Sequence, residues 1–333
     1  MLFVLLPLTA ETLSHWLGHA VSDLHIDLEL ETPISKLTFL KVAYSAEAPA
    51  DLPRNLVVKS PHKVEHSEIE FYRQLAPVME TPPLVRCLAA TEEWDKGTIV
   101  LEDLRSTHDN PPWPMPPSRN HCERAIEALA HVHAQWWESP KLGHEIGKSP
   151  STETLTTMVQ GIAANLPSFM DTLSDGLTLE ARNIYERVFS SSLKPWLRLT
   201  DPRALTIIHG DAHTWNFLFP RSGDGPACLF DWQVWHVDIG ARDLAFLMAL
   251  HWYPSRRQEL ERPLLRHYHE NLVSQGRTDY SFDELWLDYR LCVVRNLTFP
   301  IIFWSRGMKP EVWWHRLECA VAAYRDLECE ELL

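Results

Sequence analysis

The chain has 333 residues, among them 31 basic and 45 acidic side chains, which gives a formal charge of −14 at pH 7. Hydrophobic residues make up 45% and charged residues 23% of the chain, a composition that excludes disordered, collagen-like and coiled-coil proteins. Chains of this length usually form two compact domains. The acidic charge argues against DNA or RNA as a partner, because binding to a phosphate backbone needs basic patches.

The cysteines and the apolar segments indicate the compartment. Widely spaced cysteines without a paired metal-binding motif predict free thiols in a cytoplasmic protein. The first residues are apolar but lack the basic segment of a signal peptide, and Thr9–Trp16 reads as a capped amphipathic helix. No apolar run approaches the roughly 20 residues that a membrane span needs. We therefore expect a cytoplasmic monomer or homodimer that is not a membrane protein.

The first third of the chain is predicted to be rich in β-strands. Short runs of β-branched and aromatic residues predict strands at 37–44, 55–59 and 98–102. Between them a helix is predicted from about 65 to 75, ending before Pro77. These elements predict a small domain, residues 1–103, with a sheet and one helix.

The rest of the chain, residues 104–333, is predicted to be mostly helical. A proline-rich loop at 110–117 precedes Asn120–Glu123, which fits a capping box at the start of a long helix. Apolar residues then recur with helical period. Further helical patterns cover 178–196, 241–274, 282–294, 296–304 and 310–329. The sequence thus predicts an α+β protein with two lobes suited to binding a ligand.

A hairpin inside the helical part carries the residues most typical of a chemical site. Apolar segments 217–219 and 228–230 flank a turn rich in Ser, Gly, Asp and Pro, which predicts an antiparallel pair. Such pairing would bring Asn216 beside Asp231, with Asp211 in the loop leading in. Amide and carboxylate oxygens suit Mg²⁺, and a free carboxylate suits the activation of a hydroxyl group. Together they predict phosphoryl transfer.

The segment His209–Asn216, followed by Asp231–Gln233, resembles the catalytic and metal-binding loops of the aminoglycoside phosphotransferase and choline kinase-like superfamily, above all its ecdysteroid-kinase-like and related bacterial branch. The resemblance covers about residues 9 to 328. It implies a protein-kinase-like bilobal fold, with a small β-rich N-lobe (1–103) that binds nucleotide. The larger, mostly helical C-lobe (104–333) would hold the catalytic loop, the metal site and the acceptor pocket. It also implies Mg²⁺, and ATP or GTP as co-substrate.

The resemblance also implies a role for each matching residue in the C-lobe. Asp211 would be the catalytic base, and Asn216 and Asp231 would be the magnesium ligands. Four further residues would shape or support the catalytic loop: His209, Gly210, Gly240 and Asp243. Asp243 would do so through hydrogen bonds.

In the N-lobe, Lys59 ends a predicted strand, where such kinases keep the lysine that holds the α- and β-phosphates. Glu68 matches the helix glutamate that pairs with this lysine, and Glu65 or Glu70 would take its place if the register differs. A lysine at a strand end is by itself more often a solvated surface residue. The hairpin motif is what favours the functional interpretation.

Two other N-lobe segments correspond to nucleotide-binding elements of the superfamily. Glu102 and Leu104 follow an apolar strand, like the hinge whose backbone binds adenine. The loop that covers the triphosphate corresponds to Glu31–Leu37, which has no glycine, although such loops are usually rich in Gly or Ser. Ser35, with the backbone amides of Ser35 and Lys36, or Thr32 are the candidates for phosphate binding there.

The acceptor is expected to be a small molecule with a hydroxyl group: an antibiotic, an amino alcohol or another natural product. An antibiotic would make this a resistance enzyme, and the acidic chain could steer a cationic acceptor toward itself. The candidate acceptor residues follow or lie within the two motifs: His213, Gln233, Trp235 and His236.

Two alternatives remain open at the level of sequence. A catalytically impaired pseudokinase would keep the fold and bind nucleotide or small molecules without turnover. A zinc-dependent hydrolase would use His209, Asp211 and His213, whose spacing resembles a ligand set, but it would leave Asn216 and Lys59 without roles.

Overall fold

The computed structural model describes residues 8–63, 66–92, 97–112, 115–191, 193–223 and 225–333. The chain divides into two compact units. Unit 1 consists of the residues up to Asn110 together with Phe217–Trp235, and unit 2 of Pro111–Asn216 together with His236–Leu333. The division therefore falls at 110, not at the expected 103, and the hairpin segment groups with unit 1.

Unit 1 contains a five-stranded sheet in which all neighbouring strands are antiparallel. Its strands, in the order β1–β2–β3–β5–β4, are β1 (Val21–Glu31), β2 (Ser35–Tyr44), β3 (Asn55–Pro61), β4 (Cys87–Thr91) and β5 (Thr98–Glu102). The three predicted strands are confirmed as β2, β3 and β5. The two edge strands were not predicted: β4 is rich in alanine, which favours strands weakly, and β1 exposes much of its apolar face.

One end of the sheet is covered by the N-terminal helix. Helix α1 (Ala10–Leu17) begins at Thr9, whose hydroxyl accepts a hydrogen bond from the Thr12 amide at 3.2 Å, and the predicted helix is confirmed. It ends at Gly18, where φ is 67°, a left-handed conformation that suits glycine. The helix buries Leu13 in a core with residues of the central strands: Leu40, Val42, Leu56, Val58 and Val100.

The second helix of unit 1 is short and irregular. Helix α2 (Ser67–Glu70) continues as a wider π-helical turn over Phe71–Leu75 and a 3₁₀ turn over Ala76–Val78. The helical path thus passes the predicted end before Pro77, because proline fits the first turn of a 3₁₀ segment. The rest of unit 1 is a small sheet in the order β6–β8–β9, made of β6 (His108–Asp109), β8 (Phe217–Pro220) and β9 (Cys228–Leu229). Pairing of β8 with β6 explains why this segment belongs to unit 1.

Unit 2 is mostly helical. Its elements are α3 (Arg119–Trp136), α4 (Thr152–Ala163), α5 (Leu166–Leu173), α6 (Leu179–Ser190), α7 (Lys194–Leu197), β7 (Leu205–Ile208), β10 (His236–Ile239), α8 (Ala241–Ala249), α9 (Pro254–Ser274), α10 (Phe282–Asn296), α11 (Thr298–Ser305) and α12 (Pro310–Asp326). Helix α3 packs against α9 and β7, and α8 packs against α10. Within the described ranges, no helix is both long enough and apolar enough to cross a bilayer.

The start of α3 differs from its prediction. The N-cap is Ser118, whose hydroxyl accepts a hydrogen bond from the His121 amide at 3.2 Å, so the predicted capping box over Asn120–Glu123 is wrong. Ser118 has an extended backbone after a pair of prolines and is therefore the residue that can cap. Asn120 lies inside the first turn and accepts a hydrogen bond from the Arg124 side chain.

Candidate active site

The predicted hairpin is confirmed and ends in an unusual backbone conformation. Phe217 pairs with Leu229 and Leu218 with Cys228, antiparallel. Two residues after β9, Asp231 has a φ of 67°. A residue with a side chain rarely adopts this left-handed region, and such strain is typical of functional positions. Here it accompanies a carboxylate that points at Lys59.

Lys59 joins two carboxylates that are far apart in the sequence. Its ammonium nitrogen donates to Glu68 Oε2 and to Asp231 Oδ1, each at 2.6 Å. The Lys59 side chain is only 9% exposed and that of Glu68 only 1%. Glu68 also accepts the Trp232 amide at 3.2 Å. Of the three glutamates considered, Glu68 is thus the one that pairs with Lys59. Residue 65 lies outside the described ranges.

Burial and charge oppose each other in this cluster. Burial alone would lower the pKa of Lys59, but the carboxylates of Glu68 and Asp231 outweigh it and the pKa is raised. Burial raises the pKa of Glu68, and the ammonium of Lys59 only partly opposes this. With both acids ionised the cluster carries one net negative charge, which favours the approach of a cation.

A cavity of about 650 Å³ lies in unit 1 beside this cluster. Its walls include apolar side chains from the sheet and the hairpin: Leu37, Phe39, Val57, Val85, Leu101, Leu218 and Phe230. The predicted residues of unit 1 that meet at this cavity are Thr32, Ser35, Lys59, Glu68, Glu102, Leu104 and Asp231. The volume and the few polar groups on an apolar wall are typical of a cofactor site.

The turn between β1 and β2 is closed by its own threonine. The Thr32 hydroxyl accepts the amides of Ile34 at 3.3 Å and Ser35 at 2.9 Å, and it donates to the Ser35 carbonyl at 2.8 Å. The Ser35 amide is therefore used inside the turn, so the expected backbone cradle for phosphate is not formed at that position. The Ser35 side chain is the group of this residue that remains a candidate.

The segment after β5 offers polar backbone groups and one arginine that the sequence did not indicate. The Leu104 amide donates to no group in the part of the chain that the structure describes. Arg105 pairs with Asp103 at 2.8 Å, and its guanidinium lies 3.8 Å above the ring of Phe39. Only its place directly after the predicted hinge could have marked Arg105 as part of the cavity wall.

In unit 2, a buried carboxylate fixes the loop that follows β7. Asp243 accepts the backbone amides of His209 at 2.7 Å and Gly210 at 2.9 Å, and its carboxylate is 3.3 Å from His133 Nε2. Burial would raise the pKa of Asp243, but the hydrogen bonds from His133 and the loop outweigh it and the pKa is lowered. Gly210 has a φ of 81°, which glycine adopts without strain.

The loop places the predicted base and one predicted metal ligand in contact. Asn216 Nδ2 donates to the Asp211 carbonyl at 2.8 Å and to Asp211 Oδ2 at 3.3 Å. This fixes the amide so that its nitrogen is occupied, and its oxygen accepts no hydrogen bond from the described residues. On the other side His213 Nε2 lies 3.5 Å from the same carboxylate oxygen. Burial lowers the pKa of His213, which favours a neutral ring beside Asp211.

The remaining acceptor candidates have other contacts. The Trp235 indole donates to the Ser67 carbonyl at 2.8 Å, so this ring serves packing in unit 1. Gln233 is half-buried in the same unit. His236, in unit 2, is exposed and lies 3.7 Å from Asp238. The structure does not bring these three side chains together with His213 in one unit.

The ligand set of the alternative zinc site is not assembled among the described residues. No group of three or more His, Cys, Asp or Glu side chains is placed to hold a metal ion in the part of the chain that was described. His209 is buried instead, and its Nδ1 lies 3.3 Å from the Asp211 amide. All six cysteines are free thiols, as predicted.

The antiparallel sheet with its buried lysine–glutamate pair, together with a mostly helical unit that carries an Asp–Asn loop, defines a protein-kinase-like fold. The sequence matches the model of the ecdysteroid kinase-like family over residues 35–278. The chain therefore belongs to the ecdysteroid kinase-like family. No curated protein matches the sequence.

Solved structures share the fold at low identity. A protein from Ralstonia eutropha assigned as an aminoglycoside phosphotransferase has a TM-score of 0.60 at 13% identity, covering 96% of this chain and 98% of its own. Choline kinase LicA from Streptococcus pneumoniae has a TM-score of 0.51 at 16% identity, covering 95% and 97%. Aminoglycoside phosphotransferase APH(4)-Ia, with ADP and hygromycin B, has a TM-score of 0.53 at 13% identity, covering 94% and 98%. At these identities the likeness shows the fold alone.

Proposed function

We propose that the protein is a Mg²⁺-dependent kinase that transfers the γ-phosphate of ATP or GTP to a hydroxyl group of a small molecule. The observation that carries the proposal is the Lys59 ammonium, which contacts both Glu68 and Asp231 on the wall of an apolar cavity. Family membership supports the same class of reaction. The enzyme would act in the cytoplasm as a monomer or homodimer.

The nucleotide would occupy the cavity of unit 1. Its base would lie between the apolar side chains, with the Glu102 carbonyl and the Leu104 amide as backbone partners. Lys59 would hold the α- and β-phosphates, since an ammonium kept charged by two carboxylates is a strong hydrogen-bond donor to phosphate oxygens. The bound ADP of APH(4)-Ia, which shares the fold, agrees with nucleotide as co-substrate.

Asn216 and Asp231 fit the donor set of magnesium. Each presents an oxygen that accepts no hydrogen bond among the described residues: the Asn216 amide oxygen and Asp231 Oδ2. Carboxylate and amide oxygens are hard ligands, and Mg²⁺ fills its remaining positions with water and phosphate oxygens. The ion would neutralise negative charge on the triphosphate.

Asp211 would orient the acceptor hydroxyl and take its proton. Asn216 holds the carboxylate from one side and the His213 ring flanks it on the other. As the hydroxyl oxygen bonds to the γ-phosphorus, the bond from that phosphorus to the bridging oxygen breaks, and the nucleoside diphosphate leaves with the electron pair. The proton moves to Asp211. The acceptor would be an antibiotic, an amino alcohol or another natural product.

The proposal is tested by titrating the full chain with ATP and with GTP, with and without Mg²⁺. Asp231→Ala should weaken Mg²⁺–nucleotide binding by about 10-fold or more, because a charged ligand is lost. Asp171→Ala, at an exposed position on α5, is the matched control. Nucleotide binding that is independent of Mg²⁺ and of Asp231 would contradict the proposal.

A further inference from the structure

A second cavity lies wholly within unit 2, next to the loop that carries Asp211. It has a volume of about 390 Å³, and Thr214 and Trp215 of that loop form part of its wall. The rest comes from the proline-rich segment before α3, from the residues around the start of α9 and from the first turns of α12. None of the four residues first considered for acceptor binding lines this cavity.

The charges on its wall are mainly positive. Arg256 and Arg316 line the cavity, against a single carboxylate, Glu311, which is exposed. His251 also lines it, and burial, followed by the charge of Arg316, lowers its pKa well below the ordinary value, so this ring is neutral. The arginines and Glu311 together give the wall a net charge of +1, the opposite sign to the whole chain.

Neither arginine forms an ion pair among the described residues, although the Asp211 carboxylate is near enough to raise the pKa of Arg316 against the effect of burial. Arg316 Nε donates to His251 Nε2 at 3.1 Å and its Nη1 to the Val312 carbonyl, while Arg256 Nη2 donates to the Pro117 carbonyl. The buried Arg256 Nε has no hydrogen-bond partner among the described residues. Among the described residues no carboxylate lies within ion-pair distance of either guanidinium.

Three other buried or partly buried arginines of unit 2 are paired with carboxylates, whereas the buried Arg242 donates to the Cys292 carbonyl and to Asn296 Oδ1 and has no carboxylate at ion-pair distance among the described residues. The nitrogen-to-oxygen distances of these ion pairs are 2.7 Å for Arg198 with Asp288, 2.9 Å for Arg257 with Glu261 and 2.5 Å for Arg295 with Asp238. A partly buried guanidinium without a counter-charge is costly, and burial indeed lowers the pKa of Arg316. A bound anion would supply the missing partner.

The cavity is connected to the proposed base by a short series of contacts. Asp211 Oδ2 is 3.5 Å from His213 Nε2, and the rings of His213 and His251 are 5.5 Å apart. His251 Nδ1 is 2.8 Å from the Phe246 carbonyl, which makes it the donor, so that Nε2 is the acceptor for Arg316. Asp211 does not itself line the cavity, so an acceptor whose acidic end binds the arginines would present its hydroxyl to Asp211 past the His213 ring.

We propose that this cavity is the acceptor site and that the acceptor is a hydroxyl compound bearing an acidic group, such as a carboxylate, which binds Arg256 and Arg316. The inference rests on the proposed kinase function. It selects against polycationic acceptors such as aminoglycosides, although the acidic chain as a whole would attract them. Trp215, Trp252 and Tyr253 supply aromatic surface for an apolar or planar body between the hydroxyl and the acid.

The test uses matched sets of small hydroxyl compounds, for example para-hydroxymethyl benzoate, its methyl ester and para-hydroxymethyl benzylamine. Each is titrated calorimetrically into the full chain saturated with Mg²⁺ and a non-hydrolysable ATP analogue. We expect carboxylates to bind at least about 10-fold more tightly than their ester and amine counterparts. Equal binding, preference for the amine, or no binding by any carboxylate overturns the inference.

Variants assign the preference to the arginines. Arg316→Gln and Arg256→Gln should each weaken carboxylate binding by about 10- to 100-fold, with little change for the ester. Arg306→Gln, at an exposed position, is the matched control. If loss of the Arg316–His251 contact unfolds the protein, Arg256→Gln alone decides, and unchanged carboxylate binding in it overturns the inference.

Turnover separates this inference from the proposed function. If carboxylates bind through the arginines but no ADP is formed, the site stands and the kinase proposal fails. If ADP formation depends on Asp211 but occurs only with neutral or cationic acceptors, the kinase proposal stands and this inference fails.

Discussion

Lys59 and Glu68 form a buried ion pair with 2.6 Å between the ammonium nitrogen and Oε2, although Lys59 lies in the central strand β3 and Glu68 in a short helix. Asp231 adds a second carboxylate to the same ammonium. Removal of one charge from such a cluster leaves the others buried without compensation, which costs more than the pair itself contributes.

Lys59→Met should therefore reduce the free energy of unfolding by about 3–5 kcal/mol, and it should weaken nucleotide binding. Adding Glu68→Gln removes the uncompensated carboxylate, so the double variant should recover part of the stability but none of the nucleotide binding. Chemical denaturation and nucleotide titration measure the two effects. Equal stability of the single and double variants would show that the carboxylate is not the source of the loss.

Gly240 is required by close packing and not by its backbone conformation. A Cβ at this position would overlap the Tyr268 hydroxyl and come within 2.8 Å of His133 Nδ1. These two groups contact each other, and the His133 ring in turn contacts Asp243. We expect Gly240→Ala to destabilise the protein by about 1–3 kcal/mol and to lower turnover, because it disturbs the residues that hold the loop with the proposed base Asp211.

Two variants serve as controls for Gly240→Ala. Adding Tyr268→Phe removes the overlapping hydroxyl, so the double variant should lose less than the sum of the two single losses. Gly161→Ala in α4, where a Cβ meets nothing within 4 Å, should instead stabilise by about 0.5–1 kcal/mol. Thermal unfolding of the set would contradict the packing argument if the two single losses simply added.

His251 should make the protein less stable in acid. Its pKa in the folded state is far below the ordinary 6.5, because burial, then Arg316, His213 and His315, oppose a positive ring. The unfolded chain thus binds a proton that the folded state does not. The contribution is complete above about pH 6.5 and is lost as pH falls through the folded pKa, by up to about 1.4 kcal/mol per pH unit.

His251→Gln should reduce the dependence of the free energy of unfolding on pH below about pH 6.5, as measured by thermal unfolding. A variant with the same acid profile as the unmodified chain would show that another group titrates.

The sequence predicted those parts of the fold and site that depend on local spacing. The hairpin of β8 and β9 follows from two apolar runs around a turn, and Lys59 and Glu68 from a strand end and a nearby helix. Strand β4 was missed because its alanines favour strands weakly, whereas β1 was missed although its apolar residues alternate with polar ones from Leu24 to Leu30, the spacing of a strand.

Contacts between distant segments could not be read from the sequence. Arg256 and Arg316 are separated by 60 positions, and only the packing of α9 and α12 brings them to one cavity. The closed turn at Thr32 was also missed, since a threonine followed by proline does not indicate which amides its hydroxyl will accept. The prediction of phosphate-binding amides at Ser35 did not allow for the hydrogen bond that the Ser35 amide donates to the Thr32 hydroxyl.

The proposed role of Asp211 is the central claim, and it is tested by Asp211→Asn. This variant keeps the shape and the contact with Asn216 but removes the base. Transfer of phosphate to an accepted hydroxyl compound should fall by about 10²- to 10⁴-fold, while the affinity for Mg²⁺–nucleotide is retained. Turnover by Asp211→Asn at the rate of the unmodified chain would contradict the account.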